Sequence, residues 1–137
     1  MHRRSFLALT AAGLTLPLSA NASAYAPYTP EKLKADLAAG KTVFLDFFAT
    51  WCETCAAQRR VINALNAENP AYTQQIEFIE VDWDTWSDGD LVKQLKIPRR
   101  STLVVLKGDK ELGRIVAGTA KSDIKALMDT ALQAATA

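Results

Sequence analysis

Two cysteines three positions apart, Cys52 and Cys55, stand where an apolar run ends and a helical pattern begins, and the chain has no others. Val43 to Phe48 is broken only by Asp46, which fits a strand buried on both faces. Beyond the cysteines, Val61, Ile62 and Leu65 recur at helical spacing until Asn69-Pro70 stops the pattern. A strand feeding a helix through Cys-x-x-Cys places the first thiol at the helix N-terminus, where free backbone N–H groups and the dipole favour its thiolate. The second thiol lies one turn inside, within reach of a mixed disulfide formed on the first. Cys52 is therefore read as the attacking nucleophile and Cys55 as the resolving thiol of dithiol–disulfide exchange. Zinc ribbons use the same spacing, but zinc wants four ligands and this chain offers two sulfurs.

Composition removes other chemistries. Residues 1–24 read as a signal peptide: a basic start, an apolar run from Phe6 to Leu18 and small residues at Ala20, Ala22 and Ala24. The run is too short to span a bilayer as a helix. Arg3-Arg4-Ser5-Phe6-Leu7 resembles the twin-arginine motif that exports folded proteins. The single histidine is His2, inside this cleavable segment, so a Ser–His–Asp triad or a His-ligated metal has no base or ligand. A formal net charge of +1 over 137 residues argues against a nucleic-acid binder. The expectation is a periplasmic domain over residues 25–137 with 14 basic and 15 acidic side chains.

Within it, Thr29-Pro30-Glu31 opens a helix that Gly40 stops. Ile76 to Asp82 reads as a strand, Ser87 as the cap of a short helix through Leu95, and Thr102 to Leu106 as a further strand. Gly108-Asp109 turns that strand into a hairpin over Glu111 to Ala117, and Ser122 caps a final helix. The order predicts an α/β fold: a central mixed sheet of about four to five strands with helices on both faces, the first two strands parallel.

The stretch Phe44 to Cys55, with Val81-Asp82, Thr102 to Lys107 and the closing hairpin and helix, resembles the thioredoxin superfamily over essentially all of residues 25–137. Leu91 to Thr102 and the neighbourhood of the cysteines are most similar to the C-terminal domain of the DsbD electron transporter. The resemblance implies a thioredoxin fold, disulfide-bearing partner proteins, a membrane electron donor of DsbD or CcdA type, and no cofactor beyond the Cys52–Cys55 disulfide. It makes Asp46 the buried acid that accepts the proton from Cys55, and Trp51 a docking surface beside the nucleophile. The lysine that many thioredoxins set near this acid aligns with Phe78, so Asp46 is expected to lack a cationic partner and to ionise less readily.

The chain departs from the family pattern at two places. Glu53-Thr54 replaces the common Gly-Pro, and an acid next to Cys52 disfavours its thiolate and makes the pair more reducing. Where the family has a cis-proline facing the cysteines, alignment puts Ser101, preceded by Arg99-Arg100; a second register would assign that role to Pro98. Arg100 is expected to favour the Cys52 thiolate and draw acidic partners, and Ser101 to offer a hydroxyl to a substrate. The leading expectation is a reductase of partner disulfides. A disulfide oxidant, or a binding module with little turnover that holds a partner or a metal bridged between two chains, are the alternatives. The acids between Asp82 and Asp90 do not match a calcium loop, and no resident metal is expected.

Overall fold

The computed structural model describes residues 24–137 together with Gly13. The segment read as a signal peptide, with its twin-arginine-like motif, lies outside the described residues apart from Gly13 and Ala24. Among the described residues five strands form one sheet: β1 (Tyr25–Pro27), β2 (Thr42–Phe48), β3 (Glu77–Asp82), β4 (Thr102–Lys107) and β5 (Lys110–Val116). Their order is β1-β3-β2-β4-β5, with the first three mutually parallel and β4 and β5 antiparallel to their neighbours. Six helices lie among the described residues: α1 (Pro30–Ala38), α2 (Glu53–Glu68), α3 (Ala71–Gln75), α4 (Trp83–Trp86), α5 (Asp90–Leu95) and α6 (Lys121–Thr136).

Alternation along β2 divides the core. Val43, Leu45 and Phe47 point to one face and pack with Leu33 of α1, Leu91 and Val92 of α5, and Ile79 and Val104 of the neighbouring strands. Phe44 points to the other, against Ile62 and Leu65 of α2, Tyr72 of α3 and Ile124 and Met128 of α6. Asp46 shares this second face, in register with Glu80 on β3 and Leu103 on β4. The expected mixed sheet with helices on both sides is what forms.

Three elements, β1, α3 and α4, carry too little sequence signal to read, and two caps, those of α5 and α6, differ from expectation. β1 is three residues of sheet edge, too short to show alternation. α3 begins directly after Pro70, the residue read as a stop, because Pro can open a helix as well as end one. Asp82, not Ser87, starts the first helix after β3: its carboxylate accepts from the Asp84 amide at 3.1 Å and the Thr85 hydroxyl at 3.2 Å. Ser87 ends α4, and Gly89 caps α5. Ser122 sits inside the first turn of α6, whose cap is Ala120. Thr29 caps α1 as expected, accepting from the Lys32 amide at 3.1 Å.

Candidate active site

Cys52 is the N-cap of α2, extended at φ −92° and ψ 112°, and its sulfur accepts the Cys55 amide at 3.2 Å. The two cysteines are joined as a disulfide with their Cα atoms 5.3 Å apart. Both are almost buried, packed with Ala49, Phe48 and Trp83. The helix N-terminus thus supplies a directed N–H and a positive dipole end at Cys52, both of which stabilise a thiolate there.

The next turn of α2 carries two inward polar side chains that no sequence motif marks. Arg59, four residues beyond Cys55, grips Asp46 Oδ2 with Nε at 3.2 Å and Nη2 at 2.8 Å. Its third nitrogen donates to Glu80 at 3.0 Å. The guanidinium is flanked by the rings of Tyr25 and Phe48, at 4.2 and 4.5 Å. The expectation that Asp46 lacks a cationic partner is therefore corrected. The cation comes from the helix above the acid instead of a neighbouring strand, and Phe78 stands opposite Phe44. Asp46 is wholly buried, and desolvation still pushes its carboxyl above the ordinary value; Arg59 pulls it back and Glu80 adds to the rise. A cavity of about 260 Å³, walled by Phe48, Cys52, Cys55 and Arg59 among others, adjoins both the cysteines and the guanidinium that holds Asp46.

The second such residue is Gln58, buried completely. Its amide donates to the carbonyls of Ser101 at 2.9 Å and Gly118 at 3.0 Å. Helical phase is the signal that finds both: the inward stripe Cys55, Ile62, Leu65 passes through the positions between, Gln58 and Arg59.

Ser101, and not Pro98, occupies the place facing the cysteines; Pro98 is exposed. No peptide bond among the described residues is cis, and Ser101 takes a left-handed φ of 63°. It is fully buried, with its hydroxyl 3.1 Å from the Cys52 sulfur and 3.0 Å from the Cys55 sulfur. The expected hydroxyl is present, buried against the protein's own two sulfurs. On the open side, Trp51 is 57% exposed. Its indole N–H donates to both carboxylate oxygens of Asp84 at 3.1 Å, and the Arg100 guanidinium lies over its ring at 4.4 Å. Arg100 is thus a rim residue stacked on Trp51. Glu53 is exposed and Thr54 half-buried in the first turn of α2. Among the described residues no group of three or more Cys, His, Asp or Glu side chains is placed to hold a metal ion.

The chain is similar in sequence and in fold to known thioredoxins. It is 29% identical over 98 residues to a thioredoxin of Echinococcus granulosus, covering 72% of this chain and 85% of that one. It is 32% identical over 95 residues to an H-type thioredoxin of Brassica campestris, covering 69% and 72%. Among solved structures, Trxlp from Edwardsiella tarda EIB202 superposes with a TM-score of 0.63 at 29% identity, over 75% of this chain and 93% of that one. Thioredoxin NaTrxh from Nicotiana alata superposes with a TM-score of 0.62 at 25% identity, over 80% and 94%. Residues 24–130 match the thioredoxin family model. With a capped, dipole-facing cysteine pair on that fold, the chain belongs to the thioredoxin family and is a thiol–disulfide oxidoreductase whose redox pair is Cys52 and Cys55.

Proposed function

We propose that the protein is a periplasmic reductase of partner-protein disulfides, supplied with electrons by a membrane transporter of DsbD or CcdA type. The observation that carries the mechanism is the pairing of a dipole-facing Cys52 with a buried acid, Asp46, held by Arg59 one helical turn beyond Cys55. The Cys52 thiolate attacks one sulfur of the partner disulfide, and the other partner sulfur leaves as a thiolate. Cys55 then gives its proton to Asp46 and attacks the Cys52 sulfur, which releases the second partner sulfur as a thiolate and closes the Cys52–Cys55 disulfide. Trp51 and the Arg100 stacked on it form the exposed surface beside the nucleophile, suited to an acidic partner segment. The reducing direction is supported by Glu53, whose negative charge beside Cys52 counters the dipole. The export reading is supported by the sequence of residues 1–24.

The deciding measurement is the reduction potential of residues 25–137, equilibrated anaerobically against dithiol buffers. A reductant sits near thioredoxin, about −270 mV or lower, whereas a value of about −120 to −180 mV makes the protein an oxidant or isomerase. In a partner-disulfide reduction assay Cys52→Ser abolishes reduction, and Cys55→Ser accumulates the mixed disulfide on Cys52; normal turnover by Cys52→Ser would overturn the mechanism.

A further inference from the structure

Ser101 stands in an unusual combination of burial, backbone strain and contact. A left-handed φ of 63° is a strained backbone conformation for a non-glycine residue. Three hydrogen bonds hold it there. Its N–H donates to the Phe47 carbonyl at 2.7 Å, and its carbonyl accepts from the Ala117 N–H at 2.8 Å and from Gln58 at 2.9 Å. A glycine would take this backbone freely. The serine instead puts one hydroxyl almost equidistant from both reacting sulfurs. In the disulfide neither sulfur carries a hydrogen, so the hydroxyl is the donor in these contacts.

We propose that Ser101 is a further catalytic residue, whose buried hydroxyl donates to whichever of Cys52 and Cys55 is a thiolate, and that Gln58 is the positioning residue that aims it. This rests on dithiol–disulfide exchange at the pair but not on the direction of electron flow. A hydroxyl has one hydrogen to give and two lone pairs to accept with. In the reduced protein it accepts from the Cys55 thiol and donates to the Cys52 thiolate, beside the Cys55 amide that already points there. Once Cys52 has attacked a partner disulfide, its sulfur is neutral and covalently bound, and the partner's displaced sulfur has left. As the Cys55 proton passes to Asp46, rotation about the Cβ–Oγ bond turns the hydroxyl hydrogen to the new Cys55 thiolate. That thiolate forms the bond to Cys52 Sγ while the bond to the partner breaks. No proton leaves Ser101 at any step. The charged groups around the pair are Glu53 and Arg59 on α2, Asp46 on β2, Glu80 on β3, Asp84 on α4 and Arg100 before β4. Substitutions at Ser101 and Gln58 leave all of them unchanged.

The test follows the thiolate ultraviolet absorbance of the reduced protein against pH, together with the reduction potential. Ser101→Gly removes the hydroxyl and relieves the backbone, so the fold is retained; Ser101→Ala removes it and keeps the strain. Both are expected to raise the apparent pKa of the first thiol ionisation by about one unit, a tenfold loss of thiolate below it. Measured where Cys52 is ionised in the wild type, the potential drops by about 30 mV, the equivalent of that tenfold change. Gln58→Met gives a smaller rise in the same direction, and none when added to Ser101→Gly. An unchanged thiol pKa in Ser101→Gly overturns the proposal. So does a Gln58→Met that lowers the melting temperature alone, which would make the clamp purely structural. A wild-type potential in the oxidant range would overturn the reductase reading, while the thiol pKa of Ser101→Gly would still decide the role of Ser101.

Discussion

The two faces of the sheet are built from alternate residues of the same strands and are filled in different ways. Under α1 and α5, Val43, Leu45, Phe47, Ile79, Val81 and Val104 form an apolar layer, with the buried Thr102 and Asp36 at its margins. Under α2, the layer starts apolar at α3 and α6 with Phe44, Tyr72, Ile124 and Met128, then turns polar toward the cysteines. There Asp46, Gln58 and Ser101 are buried without exception. Burying such groups costs free energy unless each finds a partner. The first face stabilises the sheet, and the second gives up part of that stability for a proton acceptor and a shaped set of donors beside the sulfurs. Substitutions on either face test that division.

The largest stability effect is expected on the apolar face. Leu45 is fully buried between β3 and β4, and Leu45→Ala leaves a cavity costing about 3 kcal/mol. Denaturant titration should show a lower midpoint with an unchanged slope, and the redox potential should stay at its wild-type value. A shifted potential would mean that the two faces are mechanically coupled.

Asp46→Asn strikes the polar face. Resolution of the mixed disulfide at neutral pH is expected to slow about 100-fold, measured by single-turnover release of a partner thiol. Stability moves the other way. Burial holds the folded-state pKa of Asp46 above its ordinary 3.8, so the native state binds this proton more tightly than the unfolded chain. That stabilisation is complete below the unfolded value and is lost as pH rises through the folded one. Wild-type stability should therefore fall relative to Asp46→Asn across this window. Parallel curves would show that Arg59 cancels the desolvation of Asp46 entirely.

The apolar face is legible in the sequence because period is a strong signal. The run Val43 to Phe48 and the spacing of Val61, Ile62 and Leu65 place β2 and α2 and locate the cysteines between them. Asp46 is legible as a buried acid because it interrupts an otherwise apolar strand. Its partner is not, because Arg59 sits among the charged and polar residues of α2, where the default reading of an arginine is a solvated surface residue. Its inward direction follows only from helical phase relative to Cys55. The conformation of Ser101 has no local signal at all. Serine does not favour a positive φ, and the tertiary bonds to Phe47, Ala117 and Gln58 impose it. Pro70 misleads because proline both ends and begins helices, and only the side-chain and backbone partners around it distinguish the two.

A second acid on the polar face sharpens the comparison at its weakest point. Asp129 of α6 accepts from the buried Tyr72 hydroxyl and, at 2.7 Å, from Lys125. The hydrogen bonds from Lys125 and then Tyr72 hold its carboxyl below the ordinary value, the reverse of Asp46. The sign of its linkage is reversed too: its stabilisation is complete above the unfolded value of 3.8 and is lost as pH falls through the folded one. Its side chain is 37% exposed and that of Lys125 53%, so water and salt screen the pair. Asp129→Asn keeps an acceptor for Tyr72 and removes only the charge. The expected cost is under about 1 kcal/mol at neutral pH, shrinking in high salt and vanishing in acid. The two carboxylates therefore pull the acid limb of the stability curve in opposite directions, and the double variant should follow the wild-type shape more closely than either single variant. If Asp129→Asn costs as much as Leu45→Ala, the α3–α6 end of this face is held by its ion pair and not by its apolar packing.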